Sequence, residues 1–181
     1  MTTQRELAAE AAHLARLLLR ENLQIAFAES CTGGLMSAVL TRIPGISENF
    51  CGSAVVYQFE TKTAWLGISE EILAKPGPVS RVVAIEMARG VLDKTPHANL
   101  AVSVTGHLGP NAPKRQDGLI WFAAVARDSS IWKHPNRIVV RSHRFSPDDR
   151  CTPAQLRIRR QRAAARHVLR AVAGLLERNN S

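Results

Sequence analysis

Residues 24–40 read QIAFAESCTGGLMSAVL and join an apolar segment, a small polar segment and a second apolar segment. The first part predicts a buried strand over about 24–28, and the last part predicts a helix over about 33–42. An acid, two hydroxyls, a thiol and two glycines stand between them. Such residues suit either a capped turn or a site that holds a nucleophile at the start of a helix. The stretch therefore predicts a strand–turn–helix unit, and the residues by themselves leave both interpretations of its turn open.

Similar patterns continue on both sides of this unit. Further strands are expected at 52–57, 99–105, 119–126 and 137–145, the last of them at a sheet edge. Helices are expected at 4–21, 60–67, 69–75, 80–93 and 153–177. Strands that alternate with helices are typical of a layered α/β architecture. We therefore predict an α/β fold, a single three-layer α/β/α domain with a mixed sheet, over residues 1–181.

The composition excludes several classes of protein. No run of about eighteen uncharged apolar residues exists, so no membrane span is expected, and the charged N-terminus does not suit a signal peptide. The three cysteines are far apart and the six histidines are scattered, which predicts no disulfide framework, no metal and no cofactor. These features favour a cytoplasmic location.

The basic charge is concentrated near the C-terminus. The net charge is +9, and residues 137–181 hold eleven arginines against three acidic residues. On the last predicted helix, one sector beside the apolar stripe carries Arg159, Arg162, Arg166 and Arg170. A basic stripe can neutralise nucleic-acid phosphates, although a solvated helix face explains the same residues and few aromatic residues lie nearby for base stacking.

The polar turn has the groups that acyl transfer needs. Ser30 is a weak nucleophile unless a base lies close, and backbone N–H groups around Thr32 could stabilise an oxyanion. Taken alone, Lys62 is more often a solvated surface charge than a base, because its reference pKa is about 10.4 and burial would be needed to lower it. Cys31 is an alternative nucleophile, but a small buried thiol is favoured. Glu29 could orient its neighbours or cap the helix.

Three strings carry a resemblance to a known family. They are AESCTGG at 28–34, AVVYQFETKTAWLG at 54–67 and VSVTGHLGP at 102–110. Their order and spacing resemble the C-terminal domain of the competence-associated CinA proteins, a family that includes nicotinamide mononucleotide amidohydrolases (PncC-like proteins). The resemblance runs from about residue 5 to 126 and resumes more loosely over the last helix.

The resemblance implies an activity and a set of site residues. The reaction would be hydrolysis of the carboxamide of nicotinamide mononucleotide to nicotinic acid mononucleotide and ammonia. Ser30 would be the nucleophile, and Tyr57 and Lys62 would serve proton transfer. From the residues alone, Tyr57 could instead be a core residue with a satisfied hydroxyl. The implied substrate-binding residues are Glu29, Cys31, Thr32, Gly33, Gly34, Thr105, Gly106 and Arg159. The resemblance also implies a small-molecule nucleotide as the partner, and a homo-oligomer.

Two segments depart from the family pattern. Phe59 stands where the family has asparagine, and residues 111–118 replace a family string that begins Gly-Gly-Thr and keeps only Gly118 in place. Lys114 and Arg115 could still meet a phosphate, and Asp149-Arg150 resembles a family Gly-Asp-Arg string. These changes leave two alternatives, a divergent homologue with a different amide substrate, or a catalytically silent protein that binds nucleic acid or a partner through the arginine stripe.

Overall fold

A computed structural model describes residues 3–113, 115–131, 137–148 and 150–178. The phosphate contact predicted for Lys114 and the family string that includes Asp149 lie outside these residues. The helices are α1 (Gln4–Arg20), α2 (Leu35–Leu40), α3 (Phe59–Leu66), α4 (Glu70–Ala74), α5 (Arg81–Lys94) and α6 (Pro153–Glu177). The strands are β1 (Ile25–Glu29), β2 (Phe50–Val55), β3 (Leu100–Gly106), β4 (Leu119–Ala126) and β5 (Ile138–Arg144).

The strands form one mixed sheet in the order β2-β1-β3-β4-β5. Strand β1 runs parallel to both β2 and β3, whereas β3–β4 and β4–β5 are antiparallel pairs. Helices α1, α2 and α6 cover one face, and α3, α4 and α5 pack against the other. The predicted three-layer α/β fold with a mixed sheet is therefore confirmed, as is the edge position of β5.

Strand β1 supplies apolar side chains to the cores on both faces of the sheet. Successive side chains of a strand point to opposite faces of the sheet. Accordingly, Ile25 and Phe27 join the core under α1 and α6, while Ala26 and Ala28 join the core under α5. All four are at most 1% exposed, so β1 is a central strand buried on both faces.

The long helices begin at capping residues. Thr3 and Thr152 each form a capping box with the side chain three residues later, which satisfies N–H groups that a helix start leaves free. The apolar stripe predicted for α6 is wrong at one position, because Ile158 is 49% exposed. Two turns further on, Ala165, Leu169 and the following stripe residues are buried as expected.

Three segments that carry chemistry meet at one edge of the sheet. Strands β2, β1 and β3 are parallel neighbours, so their carboxyl ends lie side by side. Open α/β sheets bind ligands at this end of their strands. Ser30 follows β1, Tyr57 lies two residues beyond β2, and Gly106 ends β3. No helix of the described part of the chain is long and apolar enough to cross a membrane.

Candidate active site

Ser30 is held on both sides by backbone hydrogen bonds. Its N–H donates to the Val104 carbonyl of β3 at 3.0 Å, and its carbonyl accepts from the Gly33 N–H at 3.1 Å. The residue is 7% exposed. The hydroxyl thus lies at the end of a central strand, where backbone hydrogen bonds fix its position. A catalytic nucleophile needs such a fixed position.

Lys62 reaches Ser30 from α3 and is buried. The side chain is 1% exposed, so the alternative of a solvated surface charge is wrong. Its Nζ lies 3.2 Å from Ser30 Oγ, 2.8 Å from the Val56 carbonyl oxygen and 3.0 Å from the Tyr57 carbonyl oxygen. The cation therefore has two neutral carbonyls and one hydroxyl as hydrogen-bond partners, and the described residues provide it with no carboxylate partner.

This environment favours the neutral amine. Burial lowers the pKa of Lys62 to about 8, and the electrostatic influence of Cys31 opposes that shift only in part. A neutral amine has two N–H bonds and one lone pair. With the N–H groups donated to the carbonyls of Val56 and Tyr57, the lone pair is left for the Ser30 hydroxyl, which is the geometry that a general base requires.

Glu29 organises the turn that follows it. Its carboxylate is fully buried and accepts from the Thr32 hydroxyl at 2.7 Å, the Met36 N–H at 3.1 Å and the Ser37 N–H at 2.9 Å. The Ser37 hydroxyl also donates to it. These bonds satisfy N–H groups of the first turn of α2 and tie the turn to the strand. Glu29 is therefore a positioning residue that caps the helix, one of the two roles that its sequence context allowed.

The glycines give the turn its shape and leave N–H groups available. Gly33 and Gly34 have φ angles of +62° and +90°, a region where a side chain is strained. Within the described residues, the N–H groups of Cys31, Thr32 and Gly34 have no hydrogen-bond acceptor. Backbone donors beside a serine hydroxyl can stabilise the negative oxygen of a tetrahedral intermediate.

The thiol of Cys31 does not suit nucleophilic attack. The residue is 3% exposed, and burial raises the pKa of its thiol to about 12. Only the thiolate is a good nucleophile, so almost none of the reactive form exists near neutral pH. The Sγ atom would be 3.1 Å from a Cβ placed on Gly106, which shows that the thiol fills the space beside that glycine. The structure agrees with the interpretation of Cys31 as a small buried thiol.

Tyr57 contacts Lys62 through its backbone carbonyl and Arg157 through its side chain. The side chain is 58% exposed, so the alternative of a core tyrosine is wrong. Its hydroxyl accepts a 2.5 Å hydrogen bond from Arg157, whereas its carbonyl accepts from Lys62. The proton-transfer role of the hydroxyl stays a prediction, since the hydroxyl is paired with Arg157 and not with Ser30 or Lys62.

Thr105 and Gly106 lie beside the site, with different surroundings. Thr105 is 1% exposed and its hydroxyl donates to the Pro78 carbonyl at 2.8 Å, on the α5 side of the sheet. At Gly106, a Cβ would be 2.7 Å from Ile120 and 3.1 Å from the Cys31 thiol, so only glycine fits there. Both residues shape the floor of the site, and substrate contact by Thr105 stays a prediction.

Helix α6 supplies two site neighbours that the sequence analysis missed. Gln161 donates from Nε2 to the Cys31 carbonyl at 3.2 Å. Arg157, one turn earlier, donates to the Tyr57 hydroxyl and to the Gly109 carbonyl. Residues four apart share one face of a helix, which is the only sequence signal that links the two. They place an amide and a guanidinium at the rim of the Ser30 turn.

Arg159 lies on another face of α6. Its guanidinium bonds to Asp148 at 2.7 Å and to the Cys151 thiol. It lines a cavity of about 800 Å³ whose walls are the 145–150 segment and α6, and neither Ser30 nor Lys62 lines that cavity. The substrate contact of Arg159 stays a prediction, and of these two arginines Arg157 is the one that contacts Tyr57.

The loop before β4, which differs from the family pattern, is anchored by the buried guanidinium of Arg160. Arg160 is 3% exposed and binds both carboxylate oxygens of Asp117, at 2.7 and 2.8 Å. The hydrogen bonds and the charge of Arg160 hold the pKa of Asp117 below its usual range. Arg115 contributes its carbonyl to Arg144, and its side chain is exposed. No group of three or more metal-ligating side chains occurs among the described residues.

Comparison with known proteins identifies one family. A model of the CinA C-terminal domain family matches residues 7–170. A CinA-like protein of Myxococcus xanthus is 44% identical over 120 residues, which are 65% of this chain and 28% of that relative. A competence-damage inducible protein of Clostridioides difficile is 42% identical over 122 residues, or 66% of this chain and 29% of the relative. The chain thus spans less than a third of the length of these curated relatives.

Solved structures show the same fold. The competence/damage inducible protein CihA from Agrobacterium tumefaciens superposes with a TM-score of 0.81 at 30% identity, over 94% of this chain and 95% of that one. A CinA superfamily protein from Klebsiella pneumoniae gives a TM-score of 0.81 at 25% identity, over 94% and 98% of the two chains. The likeness covers both layers of helices as well as the sheet.

Proposed function

The chain belongs to the CinA C-terminal domain family, and from this premise we propose that it is an amidohydrolase with Ser30 as its nucleophile and Lys62 as its general base. One observation carries the proposal: a buried lysine, with its pKa lowered to about 8, lies 3.2 Å from a serine hydroxyl at the end of a central strand. A buried lysine without a carboxylate partner destabilises a fold, and such perturbed groups concentrate at functional sites.

Acylation follows from the positions of these groups. The Ser30 hydroxyl gives its proton to the Lys62 amine as Oγ attacks the carboxamide carbon, and the carbonyl oxygen becomes an oxyanion facing the N–H groups of Cys31 and Thr32. The intermediate collapses when its nitrogen takes the proton from the Lys62 ammonium. Ammonia leaves, and an ester to Ser30 remains.

Deacylation repeats these steps with water. Lys62, again neutral, takes a proton from the water that attacks the ester carbonyl. The bond between Oγ and the acyl carbon then breaks, and Ser30 recovers its proton from Lys62. The product is a carboxylate, so the net reaction consumes one water and converts an amide into an acid and ammonia.

We propose the carboxamide of nicotinamide mononucleotide as the substrate, which the family resemblance supports. A mononucleotide carries a phosphate, and Arg157 offers a guanidinium beside the Tyr57 hydroxyl at the rim of the site. We infer that this guanidinium meets the substrate phosphate. In this proposal, Tyr57 gives up its bond to Arg157 on substrate binding and its hydroxyl then helps to protonate the leaving nitrogen.

The direct test is turnover of nicotinamide mononucleotide by purified protein, with ammonia and nicotinic acid mononucleotide both quantified. Ser30→Ala and Lys62→Met are expected to lower kcat by about 10³-fold or more, because each removes one half of the nucleophile–base pair. Lys94→Met is the matched control, since Lys94 is exposed at the end of α5. It should keep wild-type turnover.

The outcomes separate the chemistry from the substrate. Full activity of Ser30→Ala would disprove the nucleophile. Absence of product from nicotinamide mononucleotide, together with Ser30-dependent hydrolysis of nicotinamide riboside or another primary amide, would keep the serine–lysine chemistry and reject the nucleotide as the substrate. That second result would favour a divergent homologue whose 111–118 loop has changed its specificity.

A further inference from the structure

The cavity that Arg159 lines is on the side of α6 away from the Ser30 turn. Its volume is about 800 Å³, within the range of cavities that hold small molecules and cofactors. The lining is unusually cationic, with five arginines and one carboxylate, Asp148. Three of these arginines, Arg159, Arg166 and Arg170, belong to the stripe whose sequence suits either solvent or nucleic acid, and the catalytic proposal does not use the cavity.

Some of the lining arginines are already occupied by acidic partners. Arg159 and Arg150 both bind Asp148, and Arg160 is committed to Asp117 through two hydrogen bonds. These three guanidinium groups share two carboxylates, and each donates hydrogen bonds to one of them. They form the wall of the cavity and are not its best binding groups.

Arg166 and Arg170 are in a different position. Arg166 lies 3.5 Å from Glu6 and 3.6 Å from Glu10, and its buried Nε–H has no hydrogen-bond partner among the described residues. Arg170 is exposed and makes no hydrogen bond or ion pair within the described part of the chain. Being four residues apart, the two side chains share one face of α6. Among the described residues, Arg170 offers an unpaired guanidinium, whereas Arg166 offers one whose charge Glu6 and Glu10 balance from 3.5 and 3.6 Å without a hydrogen bond.

The cavity also has two aromatic lining residues, one on α6 beside Arg166 and one just after β5. Phe145 and His167 line the cavity, and both contact His143: the two imidazole rings are stacked with centroids 4.2 Å apart, and Phe145 meets His143 edge-on at 4.6 Å. Burial and the nearby positive charges lower the pKa of His167, so near neutral pH it presents a neutral planar ring. A planar apolar group can pack beside these rings.

We propose that this cavity is a second binding site, separate from the Ser30 site, for a nucleotide-sized phosphate ester, with the phosphate on Arg166 and Arg170 and the base beside Phe145 and His167. Guanidinium groups bind phosphate through paired N–H donors. The volume is much larger than inorganic phosphate needs, and the two aromatic lining residues give the rest of the ligand a place. The proposal does not depend on the reaction at Ser30.

Calorimetric titration of the full chain with ADP tests the proposal. We expect saturable one-to-one binding that weakens about tenfold or more in the Arg166→Gln, Arg170→Gln double variant, since that variant removes both charge-assisted contacts to the phosphate. Arg170→Gln alone is the second variant, because Arg170 is exposed and its replacement does not affect the contacts of α6 with α1. It should weaken binding about threefold or more.

Two variants serve as matched controls. Arg162→Gln removes an arginine of the same helix that does not line the cavity, and Arg157→Gln removes the guanidinium at the Ser30 site. Both should leave ADP affinity within about twofold of wild type. Inorganic phosphate and adenosine, titrated separately, should each bind more weakly than ADP, because each fills only one part of the cavity.

Several outcomes would overturn the proposal. The first is no detectable ADP binding at millimolar concentration. Equal losses in Arg162→Gln and Arg170→Gln would indicate a diffuse charge effect with no defined site, and a loss confined to Arg157→Gln would place the nucleotide at the Ser30 site. Tighter binding of a single-stranded oligonucleotide, with the same dependence on Arg170 and a steep salt dependence, would assign the arginines to nucleic acid.

Discussion

Replacing Lys62 with methionine is expected to change how the free energy of unfolding depends on pH. Burial lowers the pKa of Lys62 from 10.5 to about 8 in the folded protein, so its charged form destabilises the fold. Between these two values the unfolded chain binds a proton that the folded chain does not bind. Stability therefore rises with pH in this window, and the destabilisation is fully present below about pH 8.

The magnitude follows from the two pKa values. Each pH unit inside the window contributes about 1.4 kcal/mol, and between pH 7 and pH 9.5 the wild-type protein should gain roughly 2 kcal/mol relative to Lys62→Met. The variant also loses hydrogen bonds to the carbonyls of Val56 and Tyr57, but that loss does not depend on pH. Only the slope of the difference reports the titration of the lysine.

Urea unfolding at half-unit pH steps, with Lys94→Met as the control for a lysine exposed in both states, measures the slope. In parallel, kcat/KM for the amide substrate should rise about tenfold per pH unit below the same pKa, with roughly a tenth of the plateau value at pH 7. A stability difference that is flat from pH 7 to 9.5 would refute the lowered pKa. A rate profile with a different midpoint would separate Lys62 from the catalytic base.

Three further predictions concern the turn and its neighbours. Glu29→Gln should lower the free energy of unfolding by about 2 kcal/mol in urea titrations, because the buried carboxylate accepts four hydrogen bonds; a change below 0.5 kcal/mol would deny it a capping role. Cys31→Ala should keep kcat within about threefold, as its thiol pKa of about 12 predicts, whereas a loss as large as that of Ser30→Ala would make the thiol the nucleophile. Tyr57→Phe should lower kcat about 10²-fold with an unchanged Tm, since the side chain is 58% exposed; a loss below threefold would leave proton transfer to Lys62 alone.

Most of the fold could be predicted from local patterns. Helix α6 begins and ends where expected, at 153 and 177, because a capping threonine and proline mark its start. Strand β4 also has its predicted bounds. The start of α2 was placed two residues early, since Gly33 and Gly34 adopt positive φ angles that belong to the turn and not to the helix. Such a boundary depends on hydrogen bonds that the Glu29 carboxylate accepts, which sequence periodicity does not reveal.

The sequence predicted which residues form the candidate site better than it predicted where their side chains lie. The family strings indicated Ser30 and Lys62, and the structure brings their side chains within 3.2 Å. Arg159 was chosen from α6 by alignment, yet the helix turns Arg157 toward Tyr57 instead. Side chains two residues apart on a helix point about 200° away from each other, so Arg157 faces Tyr57 while Arg159 faces the arginine-lined cavity.

The sequence by itself determined the alternation of strands and helices, the membership of the family and the identity of the serine and the lysine, because these depend on residue type and spacing along the chain. Only the tertiary structure decided that Lys62 is buried, that Tyr57 is exposed and that an arginine-lined cavity lies beside α6. The reason is physical: a pKa, a hydrogen bond or a cavity depends on which distant segments pack together. The side chains of Lys62 and Gln161 that meet Ser30 and Cys31 lie 32 and 130 residues away along the chain. Local propensity carries no information about contacts at that separation.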